Sequence, residues 1–177
     1  MGIHNDRFPP IIMDIEASGF GPTGYPIEIG YIDSSSKRFC GLIQPLPDWN
    51  HWDDQAQQTH GISRKKLQRH GMTAMDLAQE LNRQLEGKTV YSDGWVVDHP
   101  WLLKLFFAVR LVPTFRLSSI ELILNERQIE IWDATRRQVI QENQLKRHRA
   151  SIDAYIIQQT WIRTYQDTRL QKKAVVM

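Results

Sequence analysis

Residues 11–19 read Ile-Ile-Met-Asp-Ile-Glu-Ala-Ser-Gly, an apolar run broken twice by a carboxylate, and this stretch decides how the rest of the chain is laid out. A run dominated by isoleucine predicts a buried strand from Ile11 to Ile15. On a strand, alternate residues face the same way about 6.5 Å apart, so Asp14 and Glu16 are presented together. Neighbouring like charges raise each other's pKa, and keeping both ionised at neutral pH calls for a cation between them. A hard, oxygen-seeking ion such as Mg²⁺ or Mn²⁺ suits such a pair. Asp-x-Glu also arises by chance, and two acids at a strand end can simply point into water, so the pair needs support from elsewhere in the chain.

Working outward, Phe8-Pro9-Pro10 and Pro45-Leu46-Pro47 bracket two further strand-like stretches, Ile27 to Ile32 and Arg38 to Ile43. Turns at Gly19 to Gly24 and Asp33 to Lys37 separate them, giving a three-strand meander. An aromatic, polar stretch (Asp48 to Asp54) and a basic run (Arg64, Lys65, Lys66, Arg69) follow without an assigned element. Thr73 opens a helix with Asp76 three residues on as a capping box, and Ala74, Leu77, Ala78, Leu81 and Leu85 recur at helical spacing up to Gly87. Lys88 to Ser92 reads as a buried strand, Val97 to Val109 as an apolar helix, and Ser119 to Leu124 as a short strand and short helix. The last helix runs from about Ala150 to Tyr165, and nothing is assigned between Asn125 and Arg149. Strands first and strand-helix alternation later predict an α/β mixed sheet flanked by helices. One domain over residues 1–177 is expected, with a core of about 9–166 and a tail of 167–177.

Composition narrows the class. The 177 residues hold 22 Lys+Arg against 20 Asp+Glu, with 41% apolar and 24% charged residues, the balance of an ordinary soluble domain. The lone Cys40 excludes an internal disulfide scaffold and a cysteine-based zinc site. The first ten residues lack the basic flank and apolar stretch of a secretory signal, and the most apolar segment, Trp101 to Val112, is cut by Lys104 and Arg110. A cytoplasmic protein with no membrane span is expected. The net charge of +2 names no partner, but from Arg136 onward nine Lys/Arg face three Asp/Glu. That excess suits a polyanion, although a solvated helix face explains it as well.

Two more places carry isolated acids. Asp98 follows the strand that ends near Ser92 and starts an apolar helix, where it serves equally as a helix cap; Asp93 has the same ambiguity. Asp153 falls inside an apolar helical pattern, which is costly unless a cation compensates it. His148 lies five positions earlier, about 140° around a helix, so it belongs on the lead-in loop, free to approach what Asp153 holds. An imidazole titrating near neutrality beside an activated water is the expected general base.

In order and spacing, Asp-Ile-Glu-Ala-Ser-Gly (14–19), Pro-Ile-Glu-Ile-Gly (26–30), His-Gly-Ile (60–62), Asp-His-Pro-Trp-Leu (98–102) and His-Arg-Ala-Ser-Ile-Asp-Ala (148–154) resemble the DEDDh, or DnaQ-like, 3′–5′ exonucleases. The resemblance runs from about Ile11 to Trp161. It implies a ribonuclease H-like fold and two divalent ions, Mg²⁺ or Mn²⁺, held by Asp14, Glu16, Asp98 and Asp153. His148 would then activate the attacking water, and nucleoside 5′-monophosphates would leave the 3′ end of single-stranded RNA or DNA. Ala17, Ser18 and Gly19 would bring backbone close to the terminal nucleotide, with Phe20, His60 and Ile62 beside the last bases. The chain departs from the family where Asp93-Gly94-Trp95-Val96-Val97-Asp98 stands in place of His-Asn before an aromatic residue, which brings in Asp93 as an alternative; Asp98 is favoured because Trp101-Leu102 follows it where the family places a bulky apolar pair. The resemblance also allows a homodimer. Two other functions compete: a non-cleaving nucleic-acid or protein-binding module on the same fold, and a phosphohydrolase of small phosphate esters.

Overall fold

The computed structural model describes residues 8–145 and 147–175; the first seven residues, read above for a leader, and Lys146 lie outside the described residues. Strands β1 (Ile11–Ala17), β2 (Pro26–Ile32) and β3 (Arg38–Leu42) form the expected antiparallel meander. Helices α1 (Asp54–His60), α2 (Arg64–His70) and α3 (Ala74–Leu85) follow, then β4 (Thr89–Ser92), α4 (Trp95–Ala108) and β5 (Arg116–Ser119). A 3₁₀ turn at Ile120–Ile123 leads into α5 (Glu126–Glu142) and α6 (Ala150–Val175). The sheet order is β3-β2-β1-β4-β5, with β1 antiparallel to β2 but parallel to β4, and β4 parallel to β5. The mixed sheet predicted from the strand pattern is therefore present.

Strand alternation distributes the core over both faces of the sheet. Met13, Ile15, Ile27 and Ile29 pack with Leu77 and Leu81 of α3 and Leu102, Leu105 and Phe106 of α4. Ile12 and Ile32 face the other way, against Ala154, Ile157 and Trp161 of α6 and Ile120. Each fully buried Leu or Ile contributes about 1.5–3 kcal/mol relative to exposure. β1 is thus sandwiched between two helical layers, and the acids that interrupt it are carried into the interior.

Several elements differ from the sequence reading. β1 runs on to Ala17, so Glu16 lies within the strand. α6 continues past Tyr165 to Val175, taking the predicted tail into the helix. α1 and α2 arise in polar sequence because Asp53 caps the first, accepting from the Gln55 and Ala56 N–H groups, and Ser63 caps the second through Lys66 N–H. Thr73 does cap α3, but the predicted capping box is modified: the Asp76 carboxylate takes the Thr73 hydroxyl at 2.7 Å. α5, unassigned from sequence, starts on a true capping box between Asn125 and Gln128. Among the described residues, no helix is long and apolar enough to cross a membrane.

Candidate active site

The site forms at one end of β1, where Asp14, Ile15, Glu16 and Ala17 line a cleft of about 400 Å³ together with Gly19, Phe20, Ala56, Thr59, His60, Gly94, Val97, Asp98, Trp101 and His148. β1 supplies Asp14 and Glu16, paired across the ladder with Gly30 and Glu28 of β2. Asp98 comes from the first turn of α4 and is 2% exposed. It accepts the Ser92 hydroxyl, while Ser92 Oγ takes the Gly94 N–H at 2.9 Å. These bonds tie the end of β4 to the start of α4 and aim the carboxylate at β1. The helix cap is Gly94, so Asp98 is not itself the cap.

Asp93 goes elsewhere. Its carboxylate pairs with Arg136 Nη1 of α5 at 2.9 Å and lines a separate cleft with Ile120, Leu124 and Trp132. Of the two acids in the divergent motif, Asp98 is the one that lines the cleft with Asp14 and Glu16.

His148 sits before α6 with φ 67°, on the loop where the sequence put it. Asp153 reaches back over the first turn of α6, accepting His148 N–H at 2.6 Å and Arg149 N–H at 3.2 Å on Oδ2, with Arg147 Nε at 3.4 Å from Oδ1. Ligand atoms of Glu16, His148 and Asp153 all lie within 4.8 Å of one another. Chain segments 14–16, 98 and 148–153 therefore converge on one place.

Electrostatics shows what this convergence costs. Burial pushes the Asp14 carboxyl well above its usual range, with Asp98, Glu16, Asp153 and Asp93 adding to it. Glu16 is pushed up to about 7 by burial and by Asp153 and Glu28, against the pull of Arg149 and Arg147. Asp98 is pushed up to about 7 by burial and by Asp93 and Glu16, although the Ser92 and Ile15 bonds oppose the rise. Carboxyl groups held this way retain protons until a positive charge compensates them. The donor set is all oxygen with one imidazole, which fits hard divalent ions; Asp14, Glu16, Asp98 and Asp153, with His148 alongside, are the residues that could hold them.

The remaining predicted residues divide. Ala17, Gly19, Phe20 and His60 line the cleft. Gly19 has φ 142°, and a Cβ there would stand 2.7 Å from both Asp53 Cβ and His51 Cε1, so only glycine fits. Phe20 is 75% exposed and leans on Trp101, with ring centroids 5.9 Å apart. His60 is buried; its Nδ1 accepts Ile62 N–H at 3.0 Å, which puts the proton of the neutral ring on Nε2, and Nε2 has no partner among the described residues. Burial lowers its pKa. Two expectations need correction. Ser18 is buried, its N–H donated to the Tyr25 carbonyl at 2.9 Å and its carbonyl taken by Asp53 N–H at 2.8 Å, so the backbone expected beside the terminal nucleotide is spent within the turn, which the hydroxyl also braces through His51 Nδ1 and Tyr25 N–H, each at 3.1 Å. Ile62 is 0% exposed and belongs to the core, so it is no wedge at the cleft surface.

The basic excess also changes meaning. Arg136, Arg147, Arg149 and Arg163 pair with Asp93, Asp153, Glu28 and Glu142, and Arg169 stacks over Tyr165. Arg64 donates to the Trp49 and Asn50 carbonyls. These side chains brace the fold, leaving less free charge for a polyanion than the sequence count suggested. Sequence reasoning also missed Ala56 and Thr59, which line the cleft from α1; a polar seven-residue helix has no apolar period to reveal it, although Asp53 followed by a polar run is a capping signal.

No protein-family model and no curated protein matches the chain by sequence. Solved structures do resemble it. E. coli exonuclease I in complex with a dT13 oligonucleotide superposes with a TM-score of 0.69 at 13% identity, over 96% of this chain and 43% of that one. The complex with a dA16 oligonucleotide gives 0.67 at 12% identity, over 91% and 41%. Exonuclease I from Methylocaldum szegediense gives 0.62 at 12% identity, over 90% and 40%. The chain spans about two-fifths of the length of these proteins. What the likeness shows is the fold alone: a ribonuclease H-like mixed sheet with helices on both faces.

Proposed function

We propose that the chain is a metal-dependent 3′–5′ exonuclease that hydrolyses single-stranded nucleic acid, RNA or DNA, to nucleoside 5′-monophosphates, and that its 177 residues form one exonuclease domain. The observation that carries this reading is the meeting of Asp14, Glu16, Asp98, Asp153 and His148 at one cleft. The fold likeness to exonuclease I crystallised with oligonucleotides supports it.

Two divalent ions, when bound, would supply positive charge to the scissile phosphate and make a water acidic enough to attack at neutral pH. The chain's own residues do the rest. The four carboxylates present an anionic cradle of fixed shape, and His148, within 4.8 Å of Glu16 and Asp153, takes the proton of the attacking water on its imidazole. Phe20 and Trp101 offer apolar faces to the terminal bases, a contact worth about 1–3 kcal/mol per base and indifferent to sequence. Gly19 lets the strand come close to the backbone. His60 Nε2–H is a buried donor awaiting an acceptor, and a phosphate or base oxygen of the substrate is the partner we assign to it.

The test is incubation of the purified protein with Mn²⁺ or Mg²⁺ and 5′-labelled single-stranded RNA and DNA side by side, with an EDTA control and the Asp14→Ala variant. A ladder shrinking from the 3′ end, lost in EDTA and in Asp14→Ala, is expected. Normal cleavage by Asp14→Ala would remove the assignment. Retention of the oligonucleotide without cleavage would favour a binding module, and turnover indifferent to substrate length would favour a small-ester phosphohydrolase.

A further inference from the structure

Glu28 is a carboxylate with 0% exposure in the middle of a strand, an expensive place for a charge unless something depends on it. It lies opposite Glu16 across the β1–β2 ladder. Its charged partner is Arg149, whose Nε stands 3.0 Å from both carboxylate oxygens and whose Nη2 stands 2.5 Å from Oε1, and the Cys40 thiol also donates to Oε1 at 3.2 Å. Oε2 also accepts the Ala150 backbone N–H at 2.9 Å. Glu28 therefore grips the first turn of α6 through one side chain and one amide.

Two neighbours make that grip a register. Gly30, two residues on and so on the same face as Glu28, lets α6 sit directly on β2: a Cβ there would lie 2.2 Å from Ser151 N and 2.4 Å from Ala150 C. From the other side, the Asp153 carboxylate takes the His148 and Arg149 amides. The loop residue between these holds is His148, kept in the left-handed region at φ 67°, where a non-glycine residue persists only when its surroundings fix it.

We infer that Glu28 and Gly30 form a seat on β2 whose role is to set the position of His148 over Glu16 and Asp153, with Glu28 acting as a positioning residue through Arg149 and Ala150. The inference rests on the nuclease reading for its catalytic consequence and on geometry alone for its mechanical one. A base displaced by about 1 Å loses on the order of 10²-fold in rate.

The experiment has two arms. In the first, hydrogen exchange is followed in the metal-free protein. Glu28→Gln should speed exchange of the segment 148–151 at least about tenfold while the β1–β2 ladder amides keep their protection; unchanged exchange in that segment overturns the seat whether or not the protein is a nuclease. In the second, Glu28→Gln should lower kcat about 10- to 100-fold with KM and Mn²⁺ affinity within about twofold. Combined with His148→Ala it should add less than about twofold to the loss from His148→Ala alone. Independent, multiplying losses would mean that Glu28 does not act through His148, and would refute the role. Because Glu28→Gln leaves Arg149 unpaired, a second variant guards against loss of the fold: Glu28→Gln with Arg149→Met removes both charges together and must give the same exchange and kinetic pattern. If the wild type cleaves nothing with either metal, the nuclease reading falls while the exchange arm still decides the seat.

Discussion

Replacing Asp98 with Asn should stabilise the metal-free protein above neutral pH and fail to do so in acid. The wild-type carboxyl titrates at about 7 in the folded protein against an ordinary 3.8, a separation of roughly three pH units at about 1.4 kcal/mol each. Between about pH 4 and 7 the folded state therefore keeps a proton that the unfolded chain has released, so stability falls as pH rises through this window and stays low above it. The full penalty is on the order of 4 kcal/mol. The amide removes the charge but replaces the charge-assisted bond from the Ser92 hydroxyl with a neutral one or none, at a cost of about 1–3 kcal/mol. The balance is a gain of about 1–3 kcal/mol at pH 8, a rise of roughly 5 °C in Tm for a chain of this size. At pH 5 the native Asp98 is already neutral, and only the lost bond remains, so the variant should be equal or weaker. Urea denaturation in EDTA at both pH values measures this directly. Equal destabilisation at pH 5 and pH 8 would refute the claim that Asp98 is desolvated among like charges. Cleavage by the variant should be lost at either pH.

Three further outcomes follow from the same geometry. Saturating Mn²⁺ should raise the Tm of the wild type by roughly 5–10 °C at pH 8, about 2.7 kcal/mol at a hundredfold excess over Kd, and by less at pH 5, where protons must first leave Glu16 and Asp98; an equal rise at both pH values in differential scanning calorimetry would argue against carboxylate ligation. Phe20→Ala should weaken binding of single strands about 5- to 150-fold while leaving stability within about 0.5 kcal/mol, since the ring is exposed; fluorescence anisotropy and chemical denaturation separate the two effects. Ile62→Ala should do the reverse, costing about 2–5 kcal/mol of stability through a core cavity, and a variant of normal stability with weakened strand binding would return Ile62 to the cleft surface.

Much of the architecture was legible because it rests on periodicity. The isoleucine runs gave β1 and β2, the Leu77, Leu81 and Leu85 spacing gave α3, and the order of strands and helices gave a mixed α/β sheet. The helices that escaped were those whose signals are caps instead of apolar stripes. α1 is polar throughout, and α5 announces itself by Asn125 and Gln128, a pattern that was there to be read.

The site was legible to the extent that chemistry is carried by residue type. Asp14 and Glu16 in an apolar strand, and Asp153 in an apolar helix, are costly where they stand, and that cost is visible without coordinates. The loop position of His148 followed from helical geometry alone, and the structure places it there. Asp98 is favoured over Asp93 already by the Trp101-Leu102 pair that follows it; what takes Asp93 away, an ion pair between α5 and the end of β4, depends on packing and leaves no local trace. The same holds for Ser18 and Ile62, whose side chains turn inward, and for the arginines of the last third, whose partners lie as far as 121 residues away. Sequence fixes which groups are available and what each costs to bury; which charges neutralise which is settled only when the chain closes, because Coulomb and hydrogen-bond energies depend on separations that no local pattern encodes.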